Sequence, residues 1–258
     1  MTPPVAIVTG AARGIGAATV RALADRGWSV VAVDRAVDDP ALPYHLGSEP
    51  ELAALAGTSV HPVVADVRDV AGLERAVAEA EARFGGLDAA IAVAGVIAGG
   101  VPQWDVPVEQ ERAVLDVNLG GVLALARTAI PALLRRPEPR HGRFLAVAST
   151  AATRGFPMLA AYCAAKAGVA GLVRALAVEL GGTGVTANAV SPGSTATRIL
   201  DESARLYALD AAAAFAAQQP LGRLLDPAEV AAVLVFLAGP DASGMTGAVV
   251  PVDGGLGL

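Results

Sequence analysis

Short apolar runs alternate with segments of helical period along the whole chain. Val5–Thr9, Ser29–Asp34, Val60–Ala65, Leu87–Val93, Arg143–Ser149, Val185–Ser191 and Ala248–Val252 are brief and nearly continuous in apolar residues, which predicts buried strands. Between them, Gly14–Arg26 sets Ile15, Ala18, Thr19, Ala22 and Leu23 on one face and reads as a helix. Glu51–Ala56, Val70–Phe84, Leu159–Leu180 and Asp226–Ala238 also read as helices. Gln103–Arg135 carries one or two long helices, broken by Pro137 and Pro139. Such alternation predicts an α/β fold, with a parallel sheet covered by helices on both faces. No linker or internal repeat interrupts it, so residues 1–258 form one expected domain. Gly193–Leu225, with Pro192 and Pro220 near its ends, reads as a long loop-rich insertion and a candidate lid.

Composition narrows the class. Apolar residues make up 54% but aromatics only 4%, with 29 glycines, a mix suited to close helix–sheet packing and unlike a disordered chain. The lone Cys163 excludes a disulfide framework and a cysteine zinc site. His45, His61 and His141 have no metal-ligand spacing, so no metal is expected. Nineteen basic residues against 25 acidic ones, a net charge of −6, speak against a nucleic-acid partner. The longest early apolar run, Ala89–Val101, is 13 residues with three glycines, short of the ~20 a membrane span takes. A cytoplasmic protein without a membrane partner is expected.

Two clusters carry chemistry. Thr9-Gly10-Ala11-Ala12-Arg13-Gly14-Ile15-Gly16 joins the first strand to the first helix. Glycines there let backbone N–H groups approach a phosphate, and the helix N-terminus faces it with partial positive charge. Asp34 ends the second strand, 24 residues after Gly10, where a carboxylate accepts from ribose hydroxyls and repels a 2′-phosphate. NAD is therefore favoured over NADP, with Arg13 and Arg35 the residues available to a phosphate in the opposite case. The second cluster is Ser149 with Tyr162-Cys163-Ala164-Ala165-Lys166. Tyr162 and Lys166, at i and i+4, share a helix face, so the ammonium is expected to lower the phenol's pKa and fit it for proton exchange with an alcohol or carbonyl oxygen. Ser149 ends the preceding strand and is placed to hold the same oxygen. Lys166 is the only lysine beside 18 arginines, at a position where a compact ammonium is needed. Cys163 reads as a packed small residue.

In this order the glycine turn, strand-end Asp34, Asn118, Ser149 and Tyr162-x-x-x-Lys166 resemble the short-chain dehydrogenase/reductase family over the whole chain, through Pro192-Gly193 and Val252-Asp253-Gly254-Gly255. The resemblance implies a Rossmann-like, three-layer, doubly wound α/β sandwich with a seven-stranded parallel sheet. It implies Tyr162 as catalytic acid/base, Lys166 on the nicotinamide ribose, Ser149 orienting the substrate oxygen and Asn118 holding a relay water. It assigns adenine contacts to Asp66 and Val67, and the nicotinamide carboxamide to Pro192, Gly193, Thr195 and Thr197. One motif departs: Ala92-Val93-Ala94-Gly95 stands where the family usually has Asn-Asn-Ala-Gly, so the asparagine bonds bracing that turn are missing while Gly95 keeps the close approach. Asp38–Tyr44, Ser191–Thr195 and Ala204–Tyr207 further resemble a branch associated with the redox carrier mycofactocin, which is thought to retain its cofactor.

The leading expectation is an NAD-dependent dehydrogenase for a small to medium apolar secondary alcohol or ketone. Ile97, Trp104, Phe156, Met158, Ile199 and Leu200 are the candidate walls, with Tyr207 and Phe215 on the lid. The alternatives are an NADPH-dependent 3-oxoacyl thioester reductase, a mycofactocin-coupled dehydrogenase, and a non-catalytic NAD-binding sensor. The family resemblance also implies a homo-oligomer, dimer or tetramer.

Overall fold

A computed structural model describes residues 2–258. Its strands are β1 (Val5–Thr9), β2 (Ser29–Asp34), β3 (Val60–Val64), β4 (Ala89–Ala92), β5 (Arg143–Val147), β6 (Thr186–Pro192) and β7 (Val249–Val252). They form one parallel sheet in the order β3-β2-β1-β4-β5-β6-β7. Among the described residues the helices are α1 (Gly14–Ala24), α2 (Glu49–Ala53), α3 (Val70–Phe84), α4 (Val108–Leu115), α5 (Gly121–Arg135), α6 (Ala160–Glu179), α7 (Arg198–Leu206) and α8 (Pro227–Ala238).

Each central strand buries both faces, which is why its sequence is apolar without alternation. Ile7, Val31, Val33, Phe144 and Ala187 face α3, α5 and α6. Val8, Val30, Leu145 and Val190 face α1 and α8. Each buried Ile, Leu, Val or Phe contributes about 1.5–3 kcal/mol. Helix α8 starts at a reciprocal cap, Asp226 with Glu229, with Pro227 at its first position. The chain runs outward from β1 to β3, then returns to place β4 on the other side of β1. That reversal opens a crevice at the carboxyl ends of β1 and β4.

Several elements differ from the sequence reading. Strands 4 and 5 end before Val93 and Ser149, because those apolar runs continue into buried turns that line the crevice. Helix α2 starts earlier, at Glu49, because Ser48 and Glu51 cap each other. Gln103–Arg135 is a short 3₁₀ turn at Gln103–Asp105, then a continuous helix from Val108 to Arg135. A π turn at Asp116–Gly120 joins α4 to α5. Gly193–Leu225 is not mainly loop: it holds α7 and a 3₁₀ stretch at Ala212–Gln218. Within α7, the buried carboxylate of Glu202 is held by Arg205.

Val108–Arg135 and Ala160–Glu179 are long and apolar enough to cross a membrane. One face of each, including Leu125, Ala129, Leu133, Val169 and Val173, belongs instead to the core against the sheet.

Candidate active site

The crevice is a cleft of about 1060 Å³. At its floor the chain leaves β1 through the glycine turn. Gly10 has φ 67°, and a Cβ there would sit 2.6 Å from the Ala94 Cα. A Cβ on Gly16 would sit 1.9 Å from the Gly10 carbonyl oxygen. Glycine is thus required for the two loops and α1 to close on one another. No side chain among the described residues caps α1, which leaves its first-turn N–H groups for an anion. Gly10, Arg13, Gly14, Ile15 and Gly16 line the cleft. Ala12 does not: its N–H is spent on Asp34 Oδ2 at 3.0 Å and its methyl is buried against Gly47.

Asp34 lines the cleft and braces it, accepting from the Ala12 N–H and, through Oδ1, from the Ala36 N–H at 2.9 Å. Arg35, Asp66 and Val67 line the same end. Val93, Ala94 and Gly95 line the middle. The missing asparagines are replaced by Thr9, whose hydroxyl accepts from the Val93 and Ala94 N–H groups at 3.2 and 3.4 Å. Pro192, Gly193, Thr195 and Thr197 line the β6 end. Thr195 donates to the Gly193 carbonyl, and the segment is pinned by Gln219, which accepts from the Ser194 N–H. These groups fit a dinucleotide: a phosphate-sized glycine turn at a helix start, a carboxylate at the β2 end, and a long groove between them.

Asn118 is fully buried. Its amide donates to the Val96 and Val114 carbonyls, both at 2.8 Å, and its Oδ1 accepts from the Val96 N–H at 3.2 Å. Ser149 starts a 3₁₀ turn after β5 and accepts from the Ala151 N–H at 3.1 Å. Ser149 lies close enough to Tyr162, on the first turn of α6, to favour its ionised form, and both line the cleft. Lys166, 3% exposed, donates to the Val147 carbonyl at 2.8 Å, with Nζ 5.7 Å from the centre of the Tyr162 ring.

The expected acidification of the phenol does not hold in this arrangement. Burial pushes Tyr162 up to about 12, outweighing the effect of Ser149. The ammonium gives no counter-effect because it is held on the Val147 carbonyl, and burial pushes it down to about 8. At neutral pH the site therefore carries a protonated phenol beside a protonated, strained ammonium. A test follows from linkage. Folded Lys166 gives up its proton near pH 8, whereas the ordinary value is 10.5. Between those values the unfolded state binds more protons, so stability rises with pH. Tyr162 acts with the opposite sign above about pH 10. Wild type is therefore expected to gain about 1–3 kcal/mol relative to Lys166→Met from pH 8 to pH 10. Urea unfolding at matched pH reads this, and a flat difference would contradict a desolvated charge.

Of the candidate substrate walls, Ile97, Phe156, Ile199 and Leu200 line the cleft, as do Tyr207 and Phe215 from the lid. The Tyr207 hydroxyl donates to the Pro157 carbonyl at 2.7 Å, and its ring meets Phe215 edge-on at 6.1 Å. Trp104 is not a wall: it is 85% exposed on the 3₁₀ turn before α4. Met158, at φ 60°, does not line the cleft, and its carbonyl accepts from the Gly100 N–H. Leu159, Ser203 and Leu256 line it without having been singled out from the sequence. They reach it only through tertiary contact.

A family model described as enoyl-(acyl carrier protein) reductase matches residues 10–257. Cis-4-hydroxycyclohexanecarboxylate dehydrogenase of Sinomonas cyclohexanicum is 39% identical over 253 residues, 97% of this chain and 95% of that protein. The short-chain reductase protein NovJ of Streptomyces niveus is 38% identical, covering 97% of this chain and 93% of its own. The chain belongs to the short-chain dehydrogenase/reductase family. Among solved structures, carveol dehydrogenase from Mycobacterium avium in complex with NAD superposes with a TM-score of 0.93 at 29% identity, covering 99% of this chain and 98% of its own. Short-chain dehydrogenase/reductase membership accords with the sheet order and makes the protein an oxidoreductase.

Proposed function

We propose that the protein is an NAD-dependent dehydrogenase that interconverts an apolar secondary alcohol and its ketone. The observation that carries this reading is a single cleft lined both by Ser149, Tyr162 and Lys166 and by the apolar side chains of Ile97, Phe156, Ile199, Leu200 and Phe215. Two hydroxyls hold one substrate oxygen: Ser149 donates to it, and Tyr162 gives or takes the proton. Lys166 binds the ribose, Asn118 fixes the loop through Val96 and serves the relay water, and Asp34 takes the adenosine ribose hydroxyls. The glycine turn, with Arg13, holds the pyrophosphate. When bound, the nicotinamide supplies the hydride acceptor or donor for the carbinol carbon.

A relative named for cis-4-hydroxycyclohexanecarboxylate and a structural neighbour named for carveol direct the first assay to alicyclic secondary alcohols, with and without a carboxylate. Each is supplied with NAD⁺ or NADP⁺ and followed by reduced-nicotinamide absorbance. Turnover with NAD⁺ supports the proposal. Turnover restricted to NADPH and a 3-oxoacyl thioester overturns it in favour of the acyl reductase.

A second reading is favoured by the segment after β2. It crosses the cleft: Arg13 donates to the Leu46 carbonyl at 3.0 Å, and Tyr44 accepts from the Ile97 N–H at 2.9 Å. Leu46 and Gly47 line the cleft. A strap in that place supports a retained cofactor re-oxidised in place by another carrier, as in the mycofactocin-associated branch. Reduced-nicotinamide absorbance in the protein as isolated tests it. We place the enzyme in the cytoplasm as a homo-oligomer, dimer or tetramer, assembled through the outer faces of α5 and α6.

A further inference from the structure

The chain turns back sharply after β2. Ala36 has φ 57°, a left-handed conformation that an L side chain adopts at a cost of about 1–2 kcal/mol. The turn brings Asp39 beside the residues that follow β2 and β3. Asp39 is 5% exposed, yet it lines the cleft near Asp34. Its Oδ2 takes Arg35 Nη1 at 2.5 Å and Arg68 Nη2 at 2.9 Å. Its Oδ1 accepts from the Ala41 N–H at 3.0 Å. Asp66 completes the cluster, accepting from Arg68 Nη2 at 2.7 Å and lying 3.4 Å from Arg35 Nε. Burial pushes the Asp39 carboxyl up, but the Ala41 N–H and the two guanidiniums outweigh it and hold it below the usual range.

Two arginines at the end of the cleft where the adenosine ribose would lie would ordinarily mark a phosphate site, because guanidinium forks match phosphate oxygens. Here both forks are occupied by carboxylates. With Asp34, three carboxylates face two guanidiniums, so the cluster carries a net negative charge toward any added phosphate. Asp34 repels by its own charge. Asp39 acts differently, since it takes the cations away.

We propose that Asp39 is a cofactor-selectivity residue, which ties Arg35 and Arg68 into a carboxylate-bound pair and so denies both to a 2′-phosphate. The inference rests on the NAD reading above.

The test is fluorescence titration of purified protein with NADH and with NADPH, alongside the shift each gives in melting temperature. Asp39→Asn keeps the shape and removes the charge. It is expected to tighten NADPH binding by about tenfold or more while NADH binding changes less than about threefold. Adding Arg35→Ala to Asp39→Asn should return NADPH binding toward the wild-type level. In case Asp39→Asn does not melt cooperatively, Arg35→Ala alone makes the same distinction. Unchanged NADPH affinity supports the tie, and a tenfold loss shows that Arg35 already reaches the phosphate and overturns it. Wild type preferring NADPH would sink the NAD reading itself. Wild type preferring NADH, with no NADPH gain in Asp39→Asn, would sink the role of Asp39 alone.

Discussion

Tyr162→Phe is expected to lower kcat by about 10²–10⁴-fold while NADH affinity stays within about threefold. The ring packs at the edge of a small apolar cluster formed by Leu42, Val67, Val96, Ala98 and Val117. Phenylalanine fills the same space, so the fold and the groove are preserved. What disappears is the phenolic O–H that lines the cleft together with Ser149. Ser149 cannot substitute, because an alkyl hydroxyl is a far weaker acid than a phenol. Steady-state kinetics beside a cofactor titration separates the effects. A variant that keeps more than a tenth of wild-type kcat would show that another group moves the proton.

Asn118→Ala carries the largest expected loss of stability. The side chain satisfies three backbone groups, the Val96 N–H and the Val96 and Val114 carbonyls, in a place sealed from solvent. Leaving each buried partner unmatched costs about 1–3 kcal/mol, so the variant is expected to lose about 3 kcal/mol or more. For a chain of this size that lowers the melting temperature by about 6–12 °C. Urea and thermal unfolding measure it. A loss under about 1 kcal/mol would mean that the backbone around Val96 is held by something else.

The sequence made the scaffold legible where burial is uniform. Ser29–Asp34 and Val70–Phe84 appear in the structure with the boundaries their patterns predict, because both are set by local signals. The glycine turn and the Ser149, Tyr162, Lys166 set were equally readable, since each needs specific residue types at short spacing. Three features were not. Trp104 looked like a wall because an indole is usually buried, yet its turn faces outward. Tyr44 and Asp39 carried only a branch resemblance, because their partners Ile97 and Arg68 lie far along the chain. The ionisation of Tyr162 was misread because i, i+4 spacing shows that two groups share a face, not where the ammonium points.

The π turn at Asp116–Gly120 has a consequence for chain length. A π turn holds one residue more than an α turn, so the helix from Val108 to Arg135 contains a built-in insertion. Removing one residue there would leave an unbroken, more regular helix. The turns on either side would keep their faces, because the wide turn alone absorbs the extra residue. Asn118 lies inside that turn, so the deletion would re-aim its side chain, and the loop it anchors at Val96 would lose its fixed point. Variants in this stretch should thus tolerate exchange of outward-facing residues far better than any change in their number.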